Sequence, residues 1–185
     1  MYAGWNAAMT SAALRAAPLV EDDALAEFAI KSMERVLLAC YRPGSGVAHY
    51  LDGEAHVRGL LHDQVAMTLA CLDAYDATGK IPYEMMAEEL MRYASRTMWD
   101  EQGGGFFDRA PADEDECVGR MRIRLKSFAT NCEAAVALGR LADASGEHEF
   151  RAQAEATLAA IAPEASRHGP QAAHYVLAAR ALRVR

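Results

Sequence analysis

The stretch LLHDQVAMTLACLDAYDATGK (residues 60–80) decides the fold, because it contains one complete apolar helix and the signal that ends it. From Asp63 onward, its apolar residues include the i, i+3, i+4 spacing of a buried helical face. Gly79 suits the position just after the helix, where glycine adopts a positive φ at little steric cost. Pro82 suits the first turn of the next helix, which does not need its missing N–H. The stretch predicts an antiparallel helical hairpin.

A second copy of this pattern lies in NCEAAVALGRLADASGEHEFRAQAEATLAAIAP (residues 131–163). It has a polar first residue, an Ala/Leu-rich helix, a glycine stop and a second helix that opens with an aromatic residue. With Asn131 aligned on Asp63, Gly146 falls one position from Gly79. The spacing therefore indicates an internal repeat.

A third copy opens at Asn6, with its break near residues 18–22 in place of a glycine. We therefore expect an all-α chain forming one partial α/α-toroid domain over residues 1–185. The expected elements are hairpins at about 5–40, 62–99 and 130–162, and a final helix at about 171–182.

The two linkers between hairpins, residues 41–61 and 99–126, combine glycine turns with short alternating segments. VAHYL (47–51) and MRIRL (121–125) are such segments, so each linker is expected to form a small β-hairpin. In the second linker, GGG ends a helix and turns the chain. Phe106 and Phe107 are then expected to start a short strand that fixes the loop on the helices.

Charge and composition exclude several classes of function. The formal net charge of −7 argues against a long nucleic-acid surface and against binding to an anionic membrane. No uncharged apolar run approaches the roughly 18 residues of a membrane span. No basic segment precedes the small apolar residues at the N-terminus, so a signal peptide is not expected. Four cysteines without a C-x-x-C pair favour reduced thiols and a cytoplasmic location.

Four segments together resemble a known family. They are LLHDQVAMTLACLDAYDATGK, MWDEQGGGFFDR (98–109), RLKSFATNCEAAVALGRLADASGE (124–147) and GWNAAM (4–9). Their order and spacing resemble the C-terminal part of the thioredoxin-domain-containing proteins related to spermatogenesis-associated protein 20. The resemblance implies an α/α toroid similar to N-acylglucosamine 2-epimerase and the six-hairpin glycosidases.

The chain departs from that family in several ways. The family's thioredoxin-like domain and its C-x-x-C motif are missing, so the resemblance implies no redox function. Position 62 is His62 where relatives often have an acidic residue, and TNCEAA (130–135) replaces a turn with serine and glycine. Three hairpins and one helix correspond to about half of the expected six-hairpin ring.

Half a ring would leave one face of its inner helices open to water. Large apolar patches are rarely exposed on monomers, so we expect a homodimer, with two-fold symmetry, whose arcs cover each other's open edges.

In these toroid folds the site lies in the central cavity and the loops at one rim, so polar residues at the starts of inner helices are the candidates. Asp63 is a candidate general acid or base with His62 as its partner, because these side chains supply most proton transfers. The alternative is that Asp63 is a helix N-cap, a role in which Asn131 and Asn6 are also expected.

Charges in the second linker are candidate ligand contacts. Arg122, Arg124 and Lys126 alternate along RIRLK (122–126), where they would hold a carboxylate or phosphate on a sugar-like ligand. The alternative is an exposed strand face that opposes the acidic segment ADEDE (112–116).

Asp108 and Asn131 are further candidates for contact with a sugar, with the Phe107 or Phe106 ring stacked on it; Asp108 equally suits a turn. The histidines form no H-x-x-x-H or H-E-x-x-H pattern, so no metal site is expected, and no phosphate loop or dinucleotide fingerprint indicates a cofactor.

Two functions remain open. One is a binding or assembly module without catalysis, which the missing front hairpins favour because the catalytic groups of related epimerases are spread around the ring. The other is a carbohydrate-active enzyme, epimerase-like or hydrolase-like, which uses Asp63 and His62 with an Arg124/Lys126 anchor.

Overall fold

The computed structural model describes residues 1–111 and 119–183, which form paired helices and one small sheet. The three predicted hairpins and the final helix are confirmed. The helices are α1 (Ala3–Ala16), α2 (Asp23–Cys40), α3 (Leu61–Thr78), α4 (Ile81–Met98), α5 (Phe128–Ser145), α6 (His148–Ile161) and α7 (Ala172–Arg183). The chain divides into two compact units, Met1–Tyr93 and Ala94–Arg185. The prediction of a single domain stays a prediction.

The ends of the helices follow the signals in the sequence. Gly79 and Gly146 terminate α3 and α5 with φ values of 68° and 76°, in the left-handed region predicted for them. The first hairpin turns after Ala16, and Asp22 starts α2 by accepting a hydrogen bond from the Leu25 N–H. The three hairpins therefore use two different kinds of turn.

The hairpins contain inner and outer helices. In the first unit, α3 is an inner helix, buried almost all round from Leu61 to Ala74, whereas α2 buries only one face. The core of that unit includes Met33, Val36, Val65, Met67, Leu72, Leu90 and Met91. In the second unit, α5 packs on α6 and α7 around Phe128, Cys132, Leu158, Ile161 and Ala178.

The first linker forms the predicted β-hairpin with one added strand. The strands β1 (Tyr41–Arg42), β2 (Gly46–Asp52) and β3 (Glu54–Arg58) make an antiparallel sheet in the order β1-β2-β3. Tyr50 pairs with His56 across β2 and β3, which fixes the register. The start of the chain adds to this sheet through a bridge between Tyr2 and Tyr50.

The second linker does not form the predicted β-hairpin in its described part. Residues 119–122 form a short 3-10 turn, and residues 123–127 contain no strand. Phe106 makes only an isolated bridge to Trp99. The proposed partner segment, residues 112–116, lies outside the described residues. The strand predicted at MRIRL is therefore wrong, because alternation alone does not supply a strand with a partner.

Gly46 is the glycine on which the first linker depends. Its φ is +63°, and a Cβ there would overlap the side-chain oxygen of Gln64. Gly44 is a matched control, since its φ is +71° but nothing lies within 4 Å of its Cβ position.

Replacing Gly44 with alanine is expected to lower the free energy of unfolding by about 1–2 kcal/mol through backbone strain alone. The Gly46→Ala variant is expected to lose about 1–3 kcal/mol more, because the overlap adds to that strain. Denaturant titrations followed by circular dichroism measure both variants. Equal losses would contradict the proposed contact.

Candidate functional site

Asp63 lies in the first turn of α3, and its carboxylate binds the start of α1. Its Oδ1 atom accepts a hydrogen bond of 3.2 Å from the Gly4 N–H, and its Oδ2 atom lies 2.9 Å from His49 Nδ1. The N–H groups of a helix's first turn have no partner within the helix, so Asp63 satisfies one and complements the positive end of α1. The N-cap interpretation of Asp63 is wrong for its own helix, because the N-cap of α3 is Leu60.

The close approach of α1 to α3 depends on Gly4. A Cβ at this position would lie 2.8 Å from Asp63 Oδ1 and 3.1 Å from His62 Cδ2. The His62 ring therefore lies beside the Asp63 carboxylate, and its side chain is exposed while Asp63 is 1% exposed. The structure thus brings the two predicted catalytic residues together, with only His62 open to solvent.

Aromatic side chains lie beside His49, the partner of Asp63. The Tyr2 ring lies 4.8 Å from Trp5 and 5.3 Å from His49, measured between ring centroids. Trp5 is 69% exposed and Tyr2 is 42% exposed. Tyr2, Trp5, His49, His62 and Asp63 together are called the α1/α3 rim below. It joins an exposed apolar surface to a buried carboxylate.

Burial raises the pKa of the Asp63 carboxyl above its usual value of 3.8, against the lowering effects of His49, His62 and the Gly4 N–H. Because the folded state then binds the proton more tightly than the unfolded chain, the carboxyl's contribution to stability is full below pH 3.8. It is lost as the pH rises through the folded pKa. With both oxygens already bound, Asp63 is suited to positioning His49 and α1 more than to proton exchange with a ligand.

In the second unit, Asn131 holds the glycine-rich loop. Its Oδ1 atom accepts a hydrogen bond of 2.7 Å from the Phe106 N–H, and its Nδ2 atom donates to the Phe106 carbonyl at 3.0 Å. Nδ2 also donates to the carbonyl of Ser127, which is the N-cap of α5. Asn131 is the fourth residue of α5, so its expected role as an N-cap is wrong.

Gln64 makes the same three hydrogen bonds in the first unit. It accepts from the Val47 N–H and donates to the Val47 carbonyl, both at 2.9 Å, and also donates to the carbonyl of Leu60. We call this arrangement the linker clamp: a side-chain amide at the fourth residue of an inner helix that holds both main-chain polar groups of one linker residue. The two clamps are Gln64 on Val47 and Asn131 on Phe106.

The linker clamp corrects the register of the internal repeat. Asn131 corresponds to Gln64, not to Asp63, and both positions are the fourth of their helix. Aligned this way, Gly146 falls on Gly79 and the one-residue offset disappears.

The corrected alignment also identifies a residue that the sequence interpretation missed. Each clamped residue follows a glycine, in GVAH (46–49) and GFFD (105–108). His49 therefore occupies the position of Asp108, two residues after the clamped one. This four-residue alignment is the signal that would have found His49.

The other candidates in the second linker mainly bind one another. Asp108 exchanges two hydrogen bonds with Leu125, through its main-chain N–H and its side-chain Oδ1. The Arg124 guanidinium lies 4.1 Å from the centre of the Phe107 ring, a cation–π distance. The Arg124 guanidinium therefore already covers one face of the half-buried Phe107 ring. Asp108 links two segments of the second linker through its hydrogen bonds to Leu125.

Lys126 closes the glycine-rich loop. Its ammonium donates to the Gly104 carbonyl and lies 2.7 Å from Asp100 Oδ2. Asp100 also accepts from the Gln102 N–H. The Lys126 charge is thus used within the loop. This arrangement explains the GGG segment, in which Gly105 has a φ of +73° and a Cβ would approach Asn131 Oδ1 to 3.1 Å.

The candidates fall into two groups, one in each unit. Asp63 and His62 belong to the first unit, and the structure adds His49 and the aromatic rings to them. The second unit contains Arg124, Lys126, Asp108, Asn131 and Phe107.

Among the described residues, neither group contains a cluster of metal ligands. In residues 1–111 and 119–183, no three His, Cys, Asp or Glu side chains are grouped as metal ligands. Within the same ranges no helix has the length and apolar character to cross a membrane. Two open grooves are lined by other residues: one of about 440 Å³ by Glu34, Leu37, Leu38, Tyr41 and Met86, and one of about 430 Å³ by Tyr175, Val176, Ala179, Arg180 and Arg183.

The Asp100–Lys126 pair predicts a pH effect. The hydrogen bond from Lys126, with those from Gln102 and Gly103, lowers the pKa of Asp100 to about 2. The ionised Asp100 carboxylate therefore stabilises the fold fully above pH 3.8, the ordinary pKa of an aspartate side chain. This contribution is lost as the pH falls through the folded-state pKa of about 2.

In the Lys126→Met variant the pKa of Asp100 is expected to rise toward 3.8, which a carboxyl-carbon NMR titration measures. The Lys31→Met variant is the control, because Lys31 pairs with Glu27 on α2. A pKa of Asp100 that is unchanged by Lys126→Met would contradict the assignment.

Comparison with known proteins gives one sequence relative and a consistent set of structural neighbours. No family model matches the chain. Human spermatogenesis-associated protein 20 is 27% identical over 139 residues, which cover 68% of this chain and 17% of that protein. The chain thus spans about a sixth of the curated relative that it matches.

Three solved structures illustrate the fold. An inactive variant of the α-1,6-mannanase GH76A of Salegentibacter sp. HEL1_6, in complex with α-1,6-mannotriose, matches with a TM-score of 0.72 at 15% identity, over 87% of this chain and 47% of its own. A GH76 α-mannanase of Bacteroides thetaiotaomicron matches with 0.72 at 16% identity, over 89% and 44%. Cellobiose 2-epimerase of Spirochaeta thermophila matches with 0.69 at 15% identity, over 87% and 43%.

The resemblance seen in the sequence is therefore confirmed as a weak similarity to spermatogenesis-associated protein 20, and the chain has the α/α-toroid fold of the GH76 mannanases and cellobiose 2-epimerase over somewhat under half of their length.

Proposed function

We propose that this chain is a carbohydrate-binding toroid module whose contact surface is the α1/α3 rim. The observation that carries the proposal is the exposed pair of aromatic rings, Trp5 and Tyr2, beside the His49–Asp63 pair. An exposed aromatic ring offers a flat apolar face to the C–H face of a pyranose, and nearby polar groups orient the sugar hydroxyls.

The structural neighbours support this class of ligand. They are carbohydrate-active proteins, and one was solved with α-1,6-mannotriose. Fold similarity alone is a weak functional warrant, so the argument depends on the α1/α3 rim. There, Trp5 lies in the first turn of α1, directly after Gly4, whose Cβ position would contact Asp63 and His62.

We favour binding over catalysis because the Asp63 carboxylate of the rim already binds partners within the protein. Asp63 is 1% exposed and accepts from Gly4 while it pairs with His49. A general acid or base must come within hydrogen-bond reach of the atom that it protonates or deprotonates. Asp63 meets that requirement only if α1 moves away from it.

A catalytic role is the second candidate, and the position of His62 favours it. His62 is exposed and lies beside the Asp63 carboxylate, so a ligand on this surface would contact its side chain. Incubation with α-1,6-mannotriose or cellobiose, followed by analysis for shortened or epimerised products, tests this candidate. Product that is lost in the His62→Ala variant would favour catalysis.

Fluorescence of Trp5 tests the binding proposal directly. The chain has two tryptophans, so a Trp99→Phe background leaves Trp5 as the only reporter. In that background, α-1,6-mannotriose or cellobiose is expected to change the Trp5 emission in a saturable way.

In the otherwise native chain, Trp5→Ala is expected to weaken sugar binding about tenfold, equivalent to roughly 1.4 kcal/mol, measured by calorimetry. Leu38→Ala is the matched control, because Leu38 is 87% exposed on α2 and takes no part in the rim. An equal loss in both variants, or no response of Trp5 to either sugar, would refute the proposed surface.

We also propose that the chain forms a homodimer. The support is a set of exposed apolar side chains in the first hairpin: Leu19 and Val20 at its turn are 84% and 61% exposed, and Phe28 on α2 is 67% exposed. The wild-type chain is expected to have the mass of a dimer by light scattering at micromolar concentration, and Leu19→Glu is expected to shift it toward the monomer. A wild-type monomer at these concentrations would contradict the homodimer.

A further inference from the structure

The groove of about 440 Å³ in the first unit is lined by α2, the start of β1 and α4. We call it the α2/α4 groove. Leu37, Leu38 and Met86 form its aliphatic walls, Tyr41 adds an aromatic ring, and Glu34 adds a carboxylate. Leu38 is 87% exposed, so this apolar surface is open to solvent. None of these residues belongs to the α1/α3 rim.

The Glu34 carboxylate is held in place by a tyrosine of α4. Its Oε1 atom accepts a hydrogen bond of 2.8 Å from the Tyr83 hydroxyl, and Tyr83 is only 8% exposed. Burial, the hydrogen bond to Glu34 and the charge of Glu34 raise the pKa of Tyr83 to about 12, so the hydroxyl remains a donor at neutral pH. A buried side chain therefore positions a negative charge at the groove before any ligand binds.

The charges around the α2/α4 groove favour a cation. Within the described part of the chain, no cationic side chain pairs with Glu34. Lys31, one turn earlier on α2, pairs with Glu27 at 2.7 Å instead. A second negative charge acts on the groove, because burial and then the charge of Glu89 raise the pKa of Tyr41 above its usual value. A ligand with a positive charge therefore complements the groove.

The size of the groove decides between a small ligand and a protein partner. Five residues line it, whereas a stable protein interface takes roughly 20–30 residues from each partner. Its volume lies within the range of about 300–1,000 Å³ that is usual for small-molecule sites. Such sites also have mainly apolar walls and a few polar groups that fix the orientation of the ligand. Both features indicate a small molecule.

We propose that the α2/α4 groove binds a small amphiphilic amine, whose ammonium group lies on Glu34 and whose apolar body lies against Leu38, Tyr41 and Met86. The ammonium donates a charge-assisted hydrogen bond to the carboxylate, which is stronger than a hydrogen bond between neutral groups. The tyrosine ring and the flexible thioether of methionine then cover the apolar body. The groove thus selects for a positive charge and an apolar body together.

The probe is phenylbutylamine, which joins an ammonium group to an apolar body, and its neutral analogue phenylbutanol is the matched control. Titration of the amine into the full chain is expected to shift the Met86 methyl signal in a carbon–proton NMR spectrum in a saturable way. A dissociation constant on the order of 0.1–1 mM is expected, because an open groove leaves part of the ligand in water. The alcohol is expected to bind at least about tenfold more weakly.

Three variants separate the charge from the apolar walls. Glu34→Gln removes the charge at similar size and is expected to weaken amine binding about tenfold without changing alcohol binding. Glu27→Gln is the matched control, because Glu27 lies on the same helix, is 67% exposed and takes no part in the groove. Leu38→Ala is expected to weaken the binding of both ligands about threefold by removing apolar contact. The unfolding midpoint of each variant is measured with its affinity, so that loss of binding is distinguished from loss of fold.

Three results would overturn the proposal: equal affinity for the amine and the alcohol, equal losses in Glu34→Gln and Glu27→Gln, or a Met86 signal that shifts without saturating. An amine affinity that Leu38→Ala leaves unchanged would also overturn it, since the charge alone would then account for binding. These measurements follow Met86 and an amine, so they are independent of the sugar-binding test, which follows Trp5 and a sugar.

Discussion

The linker clamp is the interaction on which the rest of the described structure depends. Long linkers leave main-chain N–H and C=O groups that must be paired when they are buried. A side-chain amide has both a donor and an acceptor, so one Gln or Asn satisfies both groups of one extended residue. Gln64 and Asn131 do this where their helices begin, and each thereby fixes the linker on its inner helix.

The clamps determine which linker side chains reach each site. Val47 and Phe106 are held with their side chains buried, so the residues two positions later, His49 and Asp108, have fixed places. His49 then meets Asp63, whereas Asp108 meets Leu125 within its own linker. The same local motif thus contributes to a candidate ligand surface in one unit and to loop structure in the other.

The charged candidates show why residue type alone is a poor guide to ligand contacts. Lys126 and Asp63 were plausible as a ligand anchor and a proton donor, but both are occupied by the protein's own main chain and by a neighbouring charge. Buried polar groups require partners because an unpaired one costs about 1–3 kcal/mol. A glycine-rich loop and a helix N-terminus both contain main-chain N–H and C=O groups that need partners. Nearby charged side chains therefore bind these main-chain groups and not a ligand.

The sequence by itself determined the three hairpins, the glycine ends of α3 and α5 and the first β-hairpin, because helical periodicity and turn chemistry act between residues close in the chain. It missed the register of the repeat by one residue and placed a strand at residues 121–125, where residues 123–125 contain none. Only the tertiary structure decided the partners of Asp63, Gln64 and Asn131. Those contacts join residues 14 to 59 positions apart, and burial, which no local pattern records, decides which polar groups must be paired.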